Sequence, residues 1–152
     1  MASDPFDFSD VFTDLENKID GLMHEPMIHE LAQRIFAEST DELVYALYTP
    51  GEYIRRGDNG GIGDYNNYEV INTGFMEMTV CNNTIGNETY ANSQGWDPGY
   101  ITDIIEGGFG YHWTRSQIYR MQPYPRPFME TACNRFVENS LMPMIHSRFF
   151  DD

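Results

Sequence analysis

The stretch SDVFTDLENKIDGLMHEPMIHELAQRIFAESTDELVYAL, residues 9–47, decides the fold of the N-terminal part of the chain. In its first part, apolar residues recur every three to four positions with charged residues between them, which predicts an amphipathic helix. These apolar residues are Val11, Phe12, Leu15, Ile19 and Leu22. Gly21 and Pro26 mark the end of this helix, and proline is well suited to the first position of a second helix.

The second helix has an apolar stripe of its own. Its members are Ile28, Leu31, Ile35 and Phe36, and the stripe continues less regularly through Leu43, Val44 and Leu47. The pattern is compatible with two separate helices or with one long kinked element, because a proline can either interrupt a helix or bend it.

A polar loop follows over residues 49–67. The run RRGDNGGIGDYNNY, from Arg55 to Tyr68, is rich in Gly, Asn and Asp, which favour turns over helix or strand. Loops of this length are usually binding or assembly segments. We therefore expect it to be flexible in the isolated subunit and ordered by a neighbour, so that deleting Asp58 to Gly63 should spare folding but prevent assembly.

Strand patterns follow the loop. Residues 68–80 predict one or two strands, with Phe75, Glu77 and Thr79 on one face and Met76, Met78 and Val80 on the other. YITDIIE, from Tyr100 to Glu106, predicts another strand that ends at two glycines. Prolines at 123, 125 and 127 then keep the chain extended.

The chain ends with a predicted helix over residues 127–148. Its stripe contains Phe128, Ala132, Phe136 and Val137, and it should weaken at Pro143. The order of elements predicts an α+β fold with N-terminal helices and a C-terminal helix packed on one face of a mainly antiparallel sheet, with long polar loops. We expect a single domain over 1–152: helical 9–48, loop 49–67, strands and loops 68–122, and the C-terminal helix.

Charge and composition narrow the classes of function. The chain has 24 acidic and 9 basic side chains, a formal net charge of −15, which would repel a phosphate backbone. Neither a signal peptide nor a membrane-spanning run is recognisable, so we expect synthesis in the cytosol without membrane insertion. The two cysteines, Cys81 and Cys133, are far apart in sequence and are expected to be reduced thiols.

No catalytic pattern is complete. His24 and His29 are five residues apart with Pro26 between them, whereas a zinc-peptidase helix needs a spacing of four. The GGIG run at 60–63 lacks the basic and hydroxyl residues of a phosphate loop. Asp103 and Glu106 would lie on opposite faces of the predicted strand. We therefore predict no catalytic residue, no metal and no cofactor.

Aromatic residues and arginines in polar segments are the remaining unusual feature, because Tyr, Trp and Arg anchor protein interfaces. The candidate assembly residues are Arg55, Arg56, Tyr65, Tyr68, Trp113 and Arg115. The alternative is that several of these aromatic side chains fill the core beneath a long loop.

Two short motifs carry a resemblance to a known family. The first is Ile105, Glu106, Gly107 and Gly108 followed by Pro125, Arg126, Pro127, Phe128, Met129, Glu130 and Ala132. The second is Tyr48, Thr49 and Pro50 with Tyr53, Ile54, Arg55 and Arg56. Together they resemble the head–tail joining and tail-completion proteins of tailed phages, which also appear as minor capsid components. RRGDNGGIGD replaces the family's usual threonine-glycine-basic loop.

The resemblance implies a structural virion protein of the neck, without catalysis or cofactor. It implies a ring of copies that contacts a tail terminator, a head–tail adaptor or the portal, in the host cytoplasm during assembly and then in the virion. DNA would pass through the ring without sequence-specific binding, and an acidic lumen would let it slide. Arg55, Arg56 and Arg115 would then lie between subunits.

The part of the first motif from Pro125 onward also has a physical interpretation. Pro127 supplies the dihedral angle of a helix start, Phe128 anchors that start in the core, and Arg126 is expected to pair with Glu106, next to Gly107. The competing functions are an intracellular acidic hydrolase or metal enzyme, and a module that binds a small ligand or carbohydrate through exposed aromatic residues.

Overall fold

The computed structural model describes residues 8–46, 59–85, 101–107 and 125–150. Its helices are α1 (Ser9–Met23), α2 (Pro26–Thr40), α3 (Thr102–Gly107), α4 (Phe128–Phe136) and α5 (Met142–Phe149). Its strands are β1 (Tyr68–Gly74) and β2 (Glu77–Asn82), which pair antiparallel. A 3-10 turn at Tyr65–Asn67 precedes β1, and π-helical turns occupy Asp41–Tyr45 and Val137–Leu141. The predicted α+β class is confirmed.

The N-terminal stretch forms two separate helices. Glu25 is extended, with ψ of 132°, because the residue before a proline is driven out of the helical region. Pro26 then occupies the first turn of α2, where its missing N–H costs nothing. The kinked single element is therefore not what forms.

Helix α2 packs antiparallel to α4 and α5, which form the C-terminal end of the fold. Arg148 at the end of α5 contacts Glu25 before α2, with 2.7 Å between Nη1 and Oε1. Arg135 at the end of α4 contacts Glu42 beyond α2, also at 2.7 Å. The main core lies between these helices and the hairpin and contains Leu22, Met23, Ile28, Ala32, Phe36, Tyr68, Ala132, Phe136, Leu141 and Ile145.

A wider helical turn separates α4 from α5 just before Pro143. The N–H of Met142 donates to the carbonyl of Val137, five residues earlier, so the hydrogen-bond register has shifted before the proline arrives. Proline would otherwise remove a bond and collide with the preceding turn. The helical path thus continues through Pro143, where the sequence predicted that it would weaken.

The hairpin explains the apolar alternation that the sequence predicted. Val70, Met78 and Val80 pack against the main core. Glu69 and Glu77 are exposed on the other side. Phe75 and Met76 form the turn between the strands, so they do not continue either face. Met76 has a φ of 54°, a left-handed conformation that is uncommon for a residue with a side chain.

The predicted strand from Tyr100 to Glu106 is wrong over the residues that the structure describes, because Thr102–Gly107 is helical. Ile101 and Ile105 are one helical turn apart and both pack on a second core cluster, formed by Val44, Ile62 and Phe128. A short apolar run cannot distinguish a buried strand from a buried helix by periodicity, and here the tertiary contacts select the helix.

Candidate interaction surface

The apolar stripe of α1 is buried at one end and exposed at the other. Leu22 is 2% exposed and belongs to the main core, whereas Val11 and Phe12 are 59% and 62% exposed. Leu15 and Ile19 lie between these extremes and are half-buried. We call Val11, Phe12 and Leu15 the α1 stripe. It presents apolar side chains to solvent on a helix that the sequence made amphipathic.

The hairpin turn leans on the same helix. The N–H of Met76 donates to the carboxylate of Asp20 at 2.7 Å, which satisfies a backbone donor in a strained turn. Phe75, beside it, is 58% exposed. The turn is therefore held against α1 while one aromatic side chain faces solvent.

The segment between Gly60 and Asn67 is built around one carboxylate. Asp64 accepts hydrogen bonds from the N–H of Gly60 at 2.8 Å and from the N–H of Asn66 at 2.9 Å. These backbone donors hold the pKa of the Asp64 carboxyl below its usual value. Gly60 has a φ of +79°, a conformation that favours glycine.

A buried amide ties that segment to the rest of the fold. The Nδ2 of Asn82 donates to the carbonyl of Ile62 at 3.0 Å, and its Oδ1 accepts from the N–H of Thr84 and from the hydroxyl of Thr102. Ile62 itself is 2% exposed. The expectation of a loop ordered only by a neighbour is therefore wrong for residues 59–67, because these contacts lie within the chain. Deleting Asp58 to Gly63 would remove Ile62 from the core and should impair folding.

The two tyrosines of this segment have different environments. Tyr65 is 38% exposed and remains available as an assembly residue. Tyr68 is 2% exposed, its ring packs 6.0 Å from that of Phe36, and its hydroxyl is hydrogen-bonded to Thr40. Burial raises the pKa of Tyr68 to about 12. Tyr68 is thus a core residue, which corrects its assignment as an interface anchor.

The motif that contains Glu106 and Arg126 was predicted to stabilise the fold through an ion pair, but a different contact joins its two parts. The carboxylate of Glu106 accepts from the N–H of Met129 at 3.0 Å and from the N–H of Glu130 at 3.1 Å. These are unsatisfied donors of the first turn of α4, where negative charge is favourable. The predicted Glu106–Arg126 pair is wrong, since no ion pair among the described residues joins them.

The other motif residues also have defined positions. Arg126 is buried and its N–H donates to the carbonyl of Ile105 at 3.2 Å, which links the approach to α4 with α3. Phe128 is fully buried, as predicted. Pro127 lies immediately before α4 with φ of −74°, and Gly107 is the last residue of α3. The carboxylate cap by Glu106 had no sequence signal, because its acceptor and donors are more than twenty residues apart.

The remaining predictions concern assembly residues, metal ligands and membrane-spanning helices. Arg55, Arg56, Trp113 and Arg115 lie outside the described residues. Across the described parts of the chain, no group of three or more His, Cys, Asp or Glu side chains is placed to hold a metal ion. His29 bonds through Nε2 to the carbonyl of Met23 at 2.9 Å. Within the same ranges, no helix is both long and apolar enough to cross a membrane.

Comparison with known proteins identifies a family for this chain. A model of the YomN family matches residues 7–148, nearly the whole chain. No curated protein and no solved structure matches.

Proposed function

Because the chain belongs to the YomN family, whose name indicates a phage origin, we propose that it is a structural subunit of a tailed-phage virion that completes the tail or joins the tail to the head. The α1 stripe is the observation that carries this proposal. A phage protein with an apolar helix face directed at solvent has a surface to be covered by another subunit.

The energetics of the α1 stripe support an assembly role. Fully burying a valine or phenylalanine side chain is worth about 1.5–3 kcal/mol, and more than half of that gain is not realised for Val11 and Phe12 in the isolated chain. Such anchors are typical of the centre of an interface, surrounded by polar residues. The acidic residues beside the stripe, Asp14 and Glu16, would form that polar rim.

The wider assembly is part of the same proposal. Copies of the chain form a ring that contacts the portal, a head–tail adaptor or a tail terminator, and DNA passes through the lumen. The net charge of −15 supports this role, since an acidic lumen does not retain a polyanion. Arg55, Arg56 and Arg115 stay predictions for contacts between subunits, and Tyr65 stays a candidate on the exposed side of its turn.

The proposal is tested in a phage that encodes this protein, by placing a stop codon in its gene and supplying variants from a plasmid. We expect the stop mutant to accumulate DNA-filled heads and separate tails in electron micrographs. The unchanged protein should restore joined particles, and mass spectrometry of purified virions should detect it there. Normal, infectious virions that lack the protein would contradict the proposal.

A matched pair of variants tests the α1 stripe. Phe12→Asp places a charge in the stripe, whereas Thr13→Asp places the same charge on the opposite, exposed side of α1. We expect Phe12→Asp to fold normally and fail to restore joining, and Thr13→Asp to restore it. Equal activity of the two variants would show that the stripe is not the contact.

A further inference from the structure

The outer edge of β1 can be located from its flanking hydrogen bonds. The N–H of Tyr68 donates to the carbonyl of Tyr65, and the carbonyl of Tyr68 accepts from Nε2 of Gln33 on α2, so both groups point away from β2. The carbonyl of Asn67 accepts from the N–H of Asn83 at 2.8 Å, on the β2 side.

Alternation along the strand then fixes the direction of the later residues. Because the N–H and C=O of one strand residue point to the same side and those of the next residue point to the opposite side, Glu69 and Ile71 face β2. Glu69 and Ile71 therefore form the hydrogen-bonded pairs with Cys81 and Thr79, their partners in the register. The backbone groups of Val70 and Asn72 therefore point to the outer edge.

This edge has no backbone partner in the described parts of the chain. The hydrogen bonds formed outside regular elements include none from the N–H or C=O of Val70 or Asn72. An unpaired strand edge is a template for pairing with another extended segment, and proteins that do not use it usually block it with lysine, proline or a covering loop. Residues 68–72 contain neither lysine nor proline, and the bulge in the strand lies beyond Asn72.

A groove lies between α2 and the first residues of β1, from Tyr68 to Val70, and Asn72 follows on the same edge just beyond it. It has a volume of about 520 Å³, and its floor and walls include His29, Glu30, Gln33, Glu69 and Val70. A third strand would lie about 4.7–4.9 Å from β1 in the hydrogen-bonding direction, on the side that the groove occupies.

The charges on the walls select the kind of segment. Glu30 and Glu69 are both exposed, one on each side of the groove. The Oε2 of Glu69 accepts from Asn83, which leaves its other oxygen for a second donor. A second copy pairing through the same edge would bring these carboxylates toward their own equivalents, in a chain with net charge −15.

We propose that the groove between β1 and α2 binds an extended segment of a different protein, which adds a third strand to the hairpin and carries lysine or arginine at two adjacent positions, whose side chains point to opposite faces of the sheet. The backbone of Val70 and Asn72 supplies the pairing, and Glu30 and Glu69 select the positive side chains. This surface is separate from the α1 stripe, so the inference does not depend on the role in the neck.

The test uses the full chain with a labelled valine-rich peptide that contains two adjacent lysines, and a control peptide that has two adjacent glutamates in their place. Binding is followed by fluorescence anisotropy and amide hydrogen exchange by NMR. The lysine peptide should bind and slow exchange at Val70 and Asn72, while Glu69 and Ile71, already bonded to β2, change little. The double variant Glu30→Lys, Glu69→Lys should weaken binding on the order of tenfold.

A second double variant, Glu38→Lys with Glu138→Lys, makes the same change in net charge on exposed sites elsewhere. Retained binding by this control supports the groove. Equal weakening of both double variants would reduce the effect to general charge attraction and overturn the proposal. It would also be overturned if the lysine peptide did not bind, or if Val70 and Asn72 became protected in a dimer without peptide.

Discussion

Helices α1 and α2 have the same length and similar amphipathic patterns, yet they have different environments. Each spans 15 residues. Ile28 and Phe36 of α2 are buried between the C-terminal helices and the hairpin, whereas Val11 and Phe12 of α1 face solvent. Periodicity states that a helix has an apolar face. It does not state whether the partner for that face belongs to the same chain.

The largest effect on stability is expected from truncating a buried side chain of α2. Phe36→Ala should lower the free energy of unfolding by about 3–5 kcal/mol, because it leaves a cavity beside Tyr68 in a close-packed core. Urea unfolding followed by circular dichroism measures it. A loss below about 1 kcal/mol would mean that α2 contributes little to the core.

High pH should lower the free energy of unfolding through Tyr68, whose ring packs against Phe36 of α2. Its folded pKa of about 12 lies above the ordinary value of 10, so the unfolded chain loses this proton first as the pH rises. The stability that the neutral, buried phenol contributes is complete below pH 10 and is lost between 10 and 12, by roughly 2–3 kcal/mol. Tyr68→Phe should remove that part of the pH dependence; an unchanged slope would contradict the assignment.

Removing the Glu106 cap from α4, the helix that packs against α2, should lower the free energy of unfolding by a smaller amount. Glu106→Ala leaves the N–H groups of Met129 and Glu130 without their carboxylate, and we expect a loss of about 1–2 kcal/mol. Glu138→Ala, an exposed glutamate, is the matched control and should cost less than about 0.5 kcal/mol. Thermal or urea unfolding that gives equal values for the two variants would exclude the cap.

The smallest effect on stability is expected on the exposed stripe. Phe12→Ala should change the free energy of unfolding of the isolated chain by less than about 0.5 kcal/mol, because its side chain buries little surface there. The same urea measurement as for Phe36→Ala decides it. A loss near that of Phe36→Ala would show that the stripe is covered within the chain, so that α1 and α2 would not differ in burial.

Local patterns were sufficient for the long elements and insufficient for the short one. The stripes of α1, α2 and α4 and the alternation of the hairpin each repeat several times, so their type was predictable. Tyr100 to Glu106 contains too few residues for its period to be unique. Its helix depends on Ile105 reaching the cluster around Phe128, which is a tertiary contact.

The candidate sites divide in the same way. Tyr68 was assigned to an interface because glycine- and asparagine-rich sequence surrounds it, but Thr40 and Phe36, distant in sequence, place it in the core. The turn at 60–64 was expected to become ordered only on contact with a neighbouring subunit, because its own residues favour no regular structure. The amide of Asn82, beyond the hairpin, provides the order instead.

The sequence by itself determined that long helices lie at both ends of the chain and that strands lie between them, since proline, glycine and apolar periodicity act over a few residues. It also determined the acidic character and the burial of Phe128 at the start of the last helix. Only the tertiary structure decided which stripe is covered, which groups Glu106 holds, and which edge of β1 stays open. Those outcomes depend on contacts between residues far apart in sequence, whose free energies are realised only when the chain has folded.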